Sequence, residues 1–429
     1  MSTALALDSP VVLSEYERSL YQLEAADVDY LRSLKGSPVE IVPAFDQPGY
    51  HLNPGPHAGV LMLPSGRRVE CRPKVPIQNF FFMLAVSFDL EPSFLDDTAA
   101  FQRIDEVFEF VIRYFAELVD QRIRDGLYRN YRETEDNLPV VRGRIGFDQD
   151  IRLNHILRHR TFCRYTEFTW DIAENQIIRQ VVELVRHWVT KPDLRGELLR
   201  IDRLLYEVTP TQHPAKMIER FNYHRLNDDY EPIHKLCRLF LEGSTLSEDE
   251  GAFEFRTFLF NMNDLFERFV TAALRQRLPT GLELVPQHVI HLDQRHRIRM
   301  RPDIVIRERG APVLLADCKY KRLGEEEFKH PDTYQMLAYC TAQGLDRGLL
   351  IYPKHEVGIQ TMTAVQISPV WIDQITVDLN VKRMAFDVEL DRLAAATYSN
   401  VVPTNHEGCR ETQPRSLRGQ ALPGPAVAS

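Results

Sequence analysis

MRPDIVIRERGAPVLLADCKYKR, residues 300 to 322, holds two β-type apolar runs, IVI and VLLA, joined by a turn at ERGAP. The pattern predicts a hairpin. Asp303 opens the first run and Asp317 closes the second, so antiparallel pairing brings both carboxylates to the same end of the sheet. Lys319 follows Asp317 by two residues, and the alternation of a strand puts both side chains on one face. A carboxylate at the end of an apolar strand is costly to bury unless it is paired or bound to metal. Two carboxylates and an ammonium at one sheet end therefore point to a hard-cation site. Mg2+ suits such a site, because it takes oxygen ligands, keeps several waters, polarises a phosphate and lowers the pKa of an attacking water. Asp303 and Asp317 are the expected ligands, with Lys319 orienting the water or offsetting charge that develops on the phosphate. A surface hairpin carrying an Asp–Lys ion pair would have the same spacing.

Two flanking segments add to the cluster. FRTFLFNMNDLFERFVTAAL, 255 to 274, reads as one helix whose wheel gathers Phe255, Leu259, Met262, Phe266, Phe269, Val270 and Ala273 into a stripe. Glu267 and Asn263 fall at the edge of that stripe, whereas Asp264 and Arg268 point away. Glu267 is thus a candidate third carboxylate and metal ligand, against the alternative of a helix acid exposed at the rim. Downstream, Pro331 suits a helix start, and Gln335 and Tyr339 stand four apart on one helical face. They are candidates for contact with a nucleic-acid backbone, although packing would explain Tyr339 equally well.

A formal net charge of -9 argues against a chain coated for indiscriminate nucleic-acid binding. Three stretches still concentrate basic residues: QRHRIRMR (294 to 301), KYKR (319 to 322) and RLNHILRHRTFCRY (152 to 165). Arg301 and Lys321, beside the acids, are the candidate phosphate contacts among them. The six cysteines include no C-x-x-C pair, which speaks against a zinc knuckle or a disulfide framework. The start of the chain lacks the basic region of a secretory signal and no apolar run is long enough to cross a bilayer, so a cytoplasmic protein is expected. His155 and His159 stand four apart without a third ligand and read as exposed helix residues. Neither H-e-x-x-H nor G-x-S-x-G spacing occurs, removing the common zinc-protease and serine-hydrolase readings.

At 429 residues the chain predicts two domains and a tail. Residues 36 to 75 read as short strands (VEIVPAF, GVLMLP, RRVECRP), and the segments 79 to 88, 104 to 123, 174 to 189, 194 to 208 and 228 to 243 read as helices. LPVVRGRIGF, 138 to 147, is a strand or arm. The polar run GSTLSEDEG, 243 to 251, marks a boundary. The expected architecture is a β-then-α adaptor over 1 to 243, a mixed α/β domain over 252 to 400 with its sheet flanked by helices, and a disordered tail over 401 to 429.

The order of a helix with Glu267, R-P-Asp303, Asp317-Cys318-Lys319 and Gln335-x-x-x-Tyr339 resembles the PD-(D/E)xK nuclease superfamily. More narrowly, MNDLFERFV, RPDIVI, LLADCKYK, YQMLAY and LLIYP look like the McrC family, the nuclease subunit of the McrBC restriction system for modified cytosine. Looser matches continue upstream through ECRPKVPIQNFFFML, VVRGRIGF and ENQIIRQVVEL. The resemblance implies a Mg2+-dependent DNA endonuclease with Asp303, Asp317 and Lys319 as its catalytic triad. It also implies an N-terminal domain that binds and stimulates a ring of separate AAA+ GTPase subunits, which would read the modified base. Arg142 and Arg144 are the candidate contacts, since arginine can stabilise phosphate charge. No Gly-Lys dipeptide occurs anywhere, so the chain has no P-loop and GTP would be used by the partner. A non-catalytic activator and a stand-alone repair nuclease remain the rival expectations.

Overall fold

A computed structural model describes residues 10–34, 36–90, 104–156, 159–244, 257–321, 330–354, 361–364 and 369–401. The expected tail from 402 onward and most of the 243–251 boundary lie outside them. Turn-forming residues break the opening into short strands: β1 (Val11–Ser14), β2 (Ser19–Tyr21), β3 (Glu40–Pro43), β4 (Tyr50–Asn53), β5 (His57–Met62) and β6 (Arg68–Arg72), with α1 (Ala25–Ser33) between β2 and β3. β2, β4 and β3 form one small antiparallel sheet, while β1 pairs in parallel with β6, which pairs with β5.

Long apolar-periodic segments then give α2 (Ile77–Ser87) and α3 (Ile104–Asp125). An arm follows, built from β7 (Asn130–Leu138), β8 (Arg144–Ile145), α4 (Phe147–Asn154) and β9 (Thr161–Thr169), in which β9 lies between β7 and β8. The chain returns to a helical body through α5 (Ala173–Arg186), α6 (Pro192–Leu204) and α7 (Tyr230–Ser244). His155 and His159 sit just beyond α4 rather than within a helix, and the His155 ring turns back to the Arg152 carbonyl at 3.2 Å.

The segment read as one helix from 255 to 274 is corrected by the structure. Thr257–Asn261 is strand β10, and α8 begins only at Met262 and runs to Arg277. TFLFN is buried on both faces: Phe258 and Phe260 enter the main core while Leu259 enters the smaller core of the N-terminal sheets. That is the alternation of a strand, and Leu259 fell on the helical wheel only by coincidence of spacing. β10 pairs antiparallel with β5, placing Gly59 opposite Leu259. A Cβ at Gly59, where φ is +137°, would stand 2.1 Å from the Phe258 carbonyl oxygen, so only glycine allows this close approach. The N-terminal sheet is therefore completed by a strand from beyond residue 252, and one apolar core runs from α2 and α3 through α8 into the sheet that follows.

The remaining elements are β11 (Leu282–Pro286), β12 (Ile290–His291), β13 (Arg299–Met300), β14 (Ile304–Glu308), β15 (Ala311–Cys318), α9 (His330–Gln343), β16 (Arg347–Pro353), β17 (Thr361–Ala364), β18 (Trp371–Val377) and α10 (Phe386–Ser399). Their main sheet has the order β11-β14-β15-β16-β18-β17, with β15, β16 and β18 parallel and the flanking pairs antiparallel. α9 is the crossover that parallel pairing of β15 and β16 demands. The whole is a mixed α/β architecture of several sheets. Among the described residues no helix is long and apolar enough to cross a membrane.

Candidate metal and phosphodiester site

β14 and β15 form the hairpin expected from 300 to 322, in a register that pairs Ile304 with Ala316. Asp303 immediately precedes β14 and Asp317 lies near the end of β15, so both acids come to one end of the sheet. The backbone locks them there: Cys318 N–H donates to Asp303 Oδ2 at 2.8 Å, and Lys319 N–H extends the parallel ladder to the Ile351 carbonyl at 2.9 Å. Lys319 Nζ stands 2.5 Å from Asp317 Oδ2, on the face that the two-residue spacing predicts. That ion pair is the polar contact of an Asp317 Oδ2 otherwise buried without a hydrogen-bond partner. Asp317 is only 2 % exposed.

α8 delivers Glu267 to the same place. Met262, Phe266, Phe269, Val270 and Ala273 are buried, Asp264 and Arg268 are exposed, and Glu267 is half-buried between them. Asn263, expected beside Glu267 at the edge of the stripe, is exposed. Gln287, just after β11, joins the two sides: its amide donates to Glu267 Oε1 and, at 3.2 Å, to Asp303 Oδ1. Its backbone N–H also donates to the Asp303 carbonyl at 2.9 Å. Gln287 adopts φ of 50°, a left-handed conformation that costs a non-glycine residue about 1–2 kcal/mol and is held here by those bonds. Nothing in the sequence singled out Gln287, because its role depends on chain segments meeting in space.

Burial pushes the Asp303 carboxyl up to about 7, with the Asp317 and Glu267 charges adding to the effect. Burial likewise raises Asp317 against the pull of Lys319, and raises Glu267 against the hydrogen bond from Gln287. Burial alone would lower the Lys319 ammonium, but Asp317 and Asp303 outweigh it and hold the pKa above its ordinary value. Three carboxylates face one ammonium, so the cluster carries excess negative charge in a place where water cannot fully solvate it. An added cation would relieve this. The donor set is all oxygen, as a hard cation requires, and it includes the buried Asp317 Oδ2. Among the described residues no three acidic, histidine or cysteine side chains are already drawn close enough to enclose an ion, and Gln287 bonds both Glu267 and Asp303 in that space.

α9 supplies a second ring of groups. Gln335 is exposed and donates to the Tyr339 hydroxyl at 2.6 Å, which in turn points at the Arg301 carbonyl at 3.4 Å. The Tyr339 ring is packed in the core of the sheet, with only its phenol directed to the site. Arg301 is exposed beside Asp303. Lys321 pairs with Asp332, which also accepts from the Tyr352 hydroxyl at 3.0 Å. Asp332, in the first turn of α9 where the helix dipole favours an acid, was not anticipated although Pro331 marked that helix start.

Arg142 and Arg144 are not part of this cluster. They lie on the arm, where Arg142 stacks over the Tyr165 ring at 4.2 Å and pairs with Glu167 at 3.4 Å. Arg144 is exposed. Around them the arm presents Val140, Val141, Phe147, Ile151 and Ile156, all more than half exposed and Ile156 as much as 78 %. The arm thus leaves several large apolar side chains exposed to solvent.

The family model for a McrBC 5-methylcytosine restriction system component matches residues 52–353. The Type IV methyl-directed restriction enzyme EcoKMcrBC of Escherichia coli (strain K12) is 22% identical over 314 residues, spanning 67% of this chain and 89% of that relative. A Thermococcus gammatolerans assembly of McrB AAA+ hexamers with bound McrC contains a similar fold, at a TM-score of 0.58 and 18% identity over 91% of this chain and 100% of that one. With more than half its length matched, this chain belongs to the McrBC 5-methylcytosine restriction system component family.

Proposed function

We propose that the chain is the Mg2+-dependent DNA endonuclease subunit of a GTP-dependent restriction system for modified, methylcytosine-type DNA, with a PD-(D/E)xK arrangement in its larger sheet. The observation that carries this reading is the meeting of Asp303, Asp317 and Lys319 at one sheet end, with Asp317 Oδ2 buried against the Lys319 ammonium amid excess negative charge. Asp303 and Asp317, with Glu267 beside them, would hold Mg2+. Bound there, the ion supplies Lewis-acid polarisation of the phosphate and a more acidic water. Lys319 orients the attacking water and offsets charge on the phosphate, while Arg301, Lys321, Gln335 and the Tyr339 phenol line the approach of the DNA backbone.

The chain has no P-loop of its own, and a similar protein is seen bound to McrB AAA+ hexamers. An AAA+ GTPase ring is accordingly the partner proposed here, held through the arm and stimulated through Arg142 or Arg144. Asp303→Ala or Lys319→Ala in the reconstituted complex should lower DNA cleavage by about 10²–10³-fold while leaving stimulation of GTP hydrolysis intact. Loss of both together would mean that the fold had been damaged. The alternative of a non-catalytic activator draws on the lack of a ready three-ligand cluster among the described residues. An Asp303→Ala complex that cuts DNA at the wild-type rate would establish it.

A further inference from the structure

Glu15 and Tyr16 form the turn that ends β1, and Glu15 reaches from the N-terminal sheet into the framework of the candidate site. Glu15 is fully buried. Its Oε2 accepts from the Tyr320 hydroxyl at 3.2 Å, across 305 residues of sequence, and from Lys74 N–H at 3.1 Å. Tyr320 stands between Lys319 and Lys321, and its buried ring packs at 5.8 Å against Phe266, the residue before Glu267. One phenol thus touches both the strand end that carries Lys319 and the helix that carries Glu267.

Tyr16 makes a parallel connection. It holds a φ of 60°, and its backbone N–H donates to the Gly55 carbonyl at 3.0 Å. The neighbouring Pro56 carbonyl accepts from Met262 N–H at 2.8 Å, fixing the first residue of α8. β10 passes into α8 with no residue between them. The N-terminal sheet is therefore tied to α8 by the continuous chain and by these bonds, and to the Lys319 strand end by the Glu15–Tyr320 bond.

We propose that Glu15 and Tyr320 are positioning residues that link the N-terminal sheet to the Asp317–Lys319 strand end and so set the placement of Lys319 beside Glu267. The inference rests on the nuclease reading above. A buried hydrogen bond between two packed elements holds a geometry, and a small misplacement of reacting groups is expensive in rate.

The test uses the full chain with its AAA+ partner and compares wild type with Tyr320→Phe, which keeps the ring against Phe266 and removes only the hydroxyl. The kcat for DNA cleavage should fall about tenfold, while KM for DNA and stimulation of GTP hydrolysis, measured well below the melting transition, stay at wild-type values. Glu15→Gln, which retains an oxygen acceptor, should keep more of the cleavage rate than Glu15→Ala. An unchanged kcat in Tyr320→Phe, or an equal loss of GTPase stimulation, overturns the link and leaves the nuclease reading standing. A wild-type complex that cuts no DNA overturns both.

Discussion

The end of the six-stranded sheet and the arm treat solvent in opposite ways. At the sheet end, Asp317 is buried and Asp303 and Glu267 are partly buried with one ammonium among them, and all three carboxyls are pushed up from their ordinary values. On the arm, Phe147, Ile151 and Ile156 are left exposed among the described residues. Each arrangement is unfavourable for the isolated chain, since one buries charge and the other exposes apolar surface. A cation would relieve the first and a protein surface the second. Under the proposed function, the site for chemistry and the site for a partner are thus separable, joined through the helical body, β10 and α8.

Separability predicts opposite phenotypes. The largest expected effect is the loss of cleavage in Asp303→Ala or Lys319→Ala with GTPase stimulation preserved, and the arm gives its mirror image. Phe147→Asp or Ile151→Asp should weaken association with the AAA+ ring by about tenfold to a hundredfold, because a charge then replaces an apolar contact at the centre of a docking surface. Both residues are well exposed, so the fold should persist, as a melting curve would show. Arg142→Ala should reduce stimulation of GTP hydrolysis with less change in association. If the two aspartate variants bind and stimulate the ring normally, the arm is not the partner surface and the division drawn here fails.

Gln287 sharpens the chemical side of the comparison. Its amide bonds two of the three carboxylates, Glu267 and Asp303, so it fixes their separation before any ion arrives. Gln287→Ala should slow cleavage by about tenfold and raise the Mg2+ concentration needed for half-maximal rate, since Glu267 and Asp303 are then less pre-ordered. A slower rate with an unchanged Mg2+ requirement would remove Gln287 from the ion's surroundings. Partner binding through the arm should be indifferent to the change.

The sequence was readable where a short stretch carries its own geometry. Asp303, Asp317 and Lys319 could be brought together on paper because a hairpin and a period of two place them without reference to the rest of the chain. Glu267 was placed by the apolar stripe of α8, even though the preceding TFLFN belongs to a strand that crosses back into the N-terminal sheet. The arm strands β7 and β9 were not anticipated. NYRETEDNL is a ribbon with solvent on both faces, as its mostly exposed side chains show, and such a strand leaves no apolar alternation to detect. Gln287, Asp332 and the Glu15–Tyr320 bond were invisible for a different reason: each gains its meaning only from a partner brought close by the tertiary fold.

The smallest expected effect isolates the buried charge itself. Asp303 has an ordinary value of 3.8 and is held near about 7 in the folded protein, so the native state keeps a proton that the unfolded chain releases. The stability that this proton contributes is fully present below about pH 4 and is lost as pH rises through about 7. Asp303→Asn removes the charge while keeping an oxygen to accept from Cys318 N–H. In EDTA the variant should therefore melt above wild type at about pH 8, and the difference should shrink as pH is lowered toward about 4. Adding Mg2+ should raise the wild-type midpoint at the higher pH and do less for the variant. A gap between the two proteins that stays constant across that range would mean the carboxylate is not destabilised by its surroundings, and the contrast between a strained charge cluster and a merely exposed arm would lose its first half.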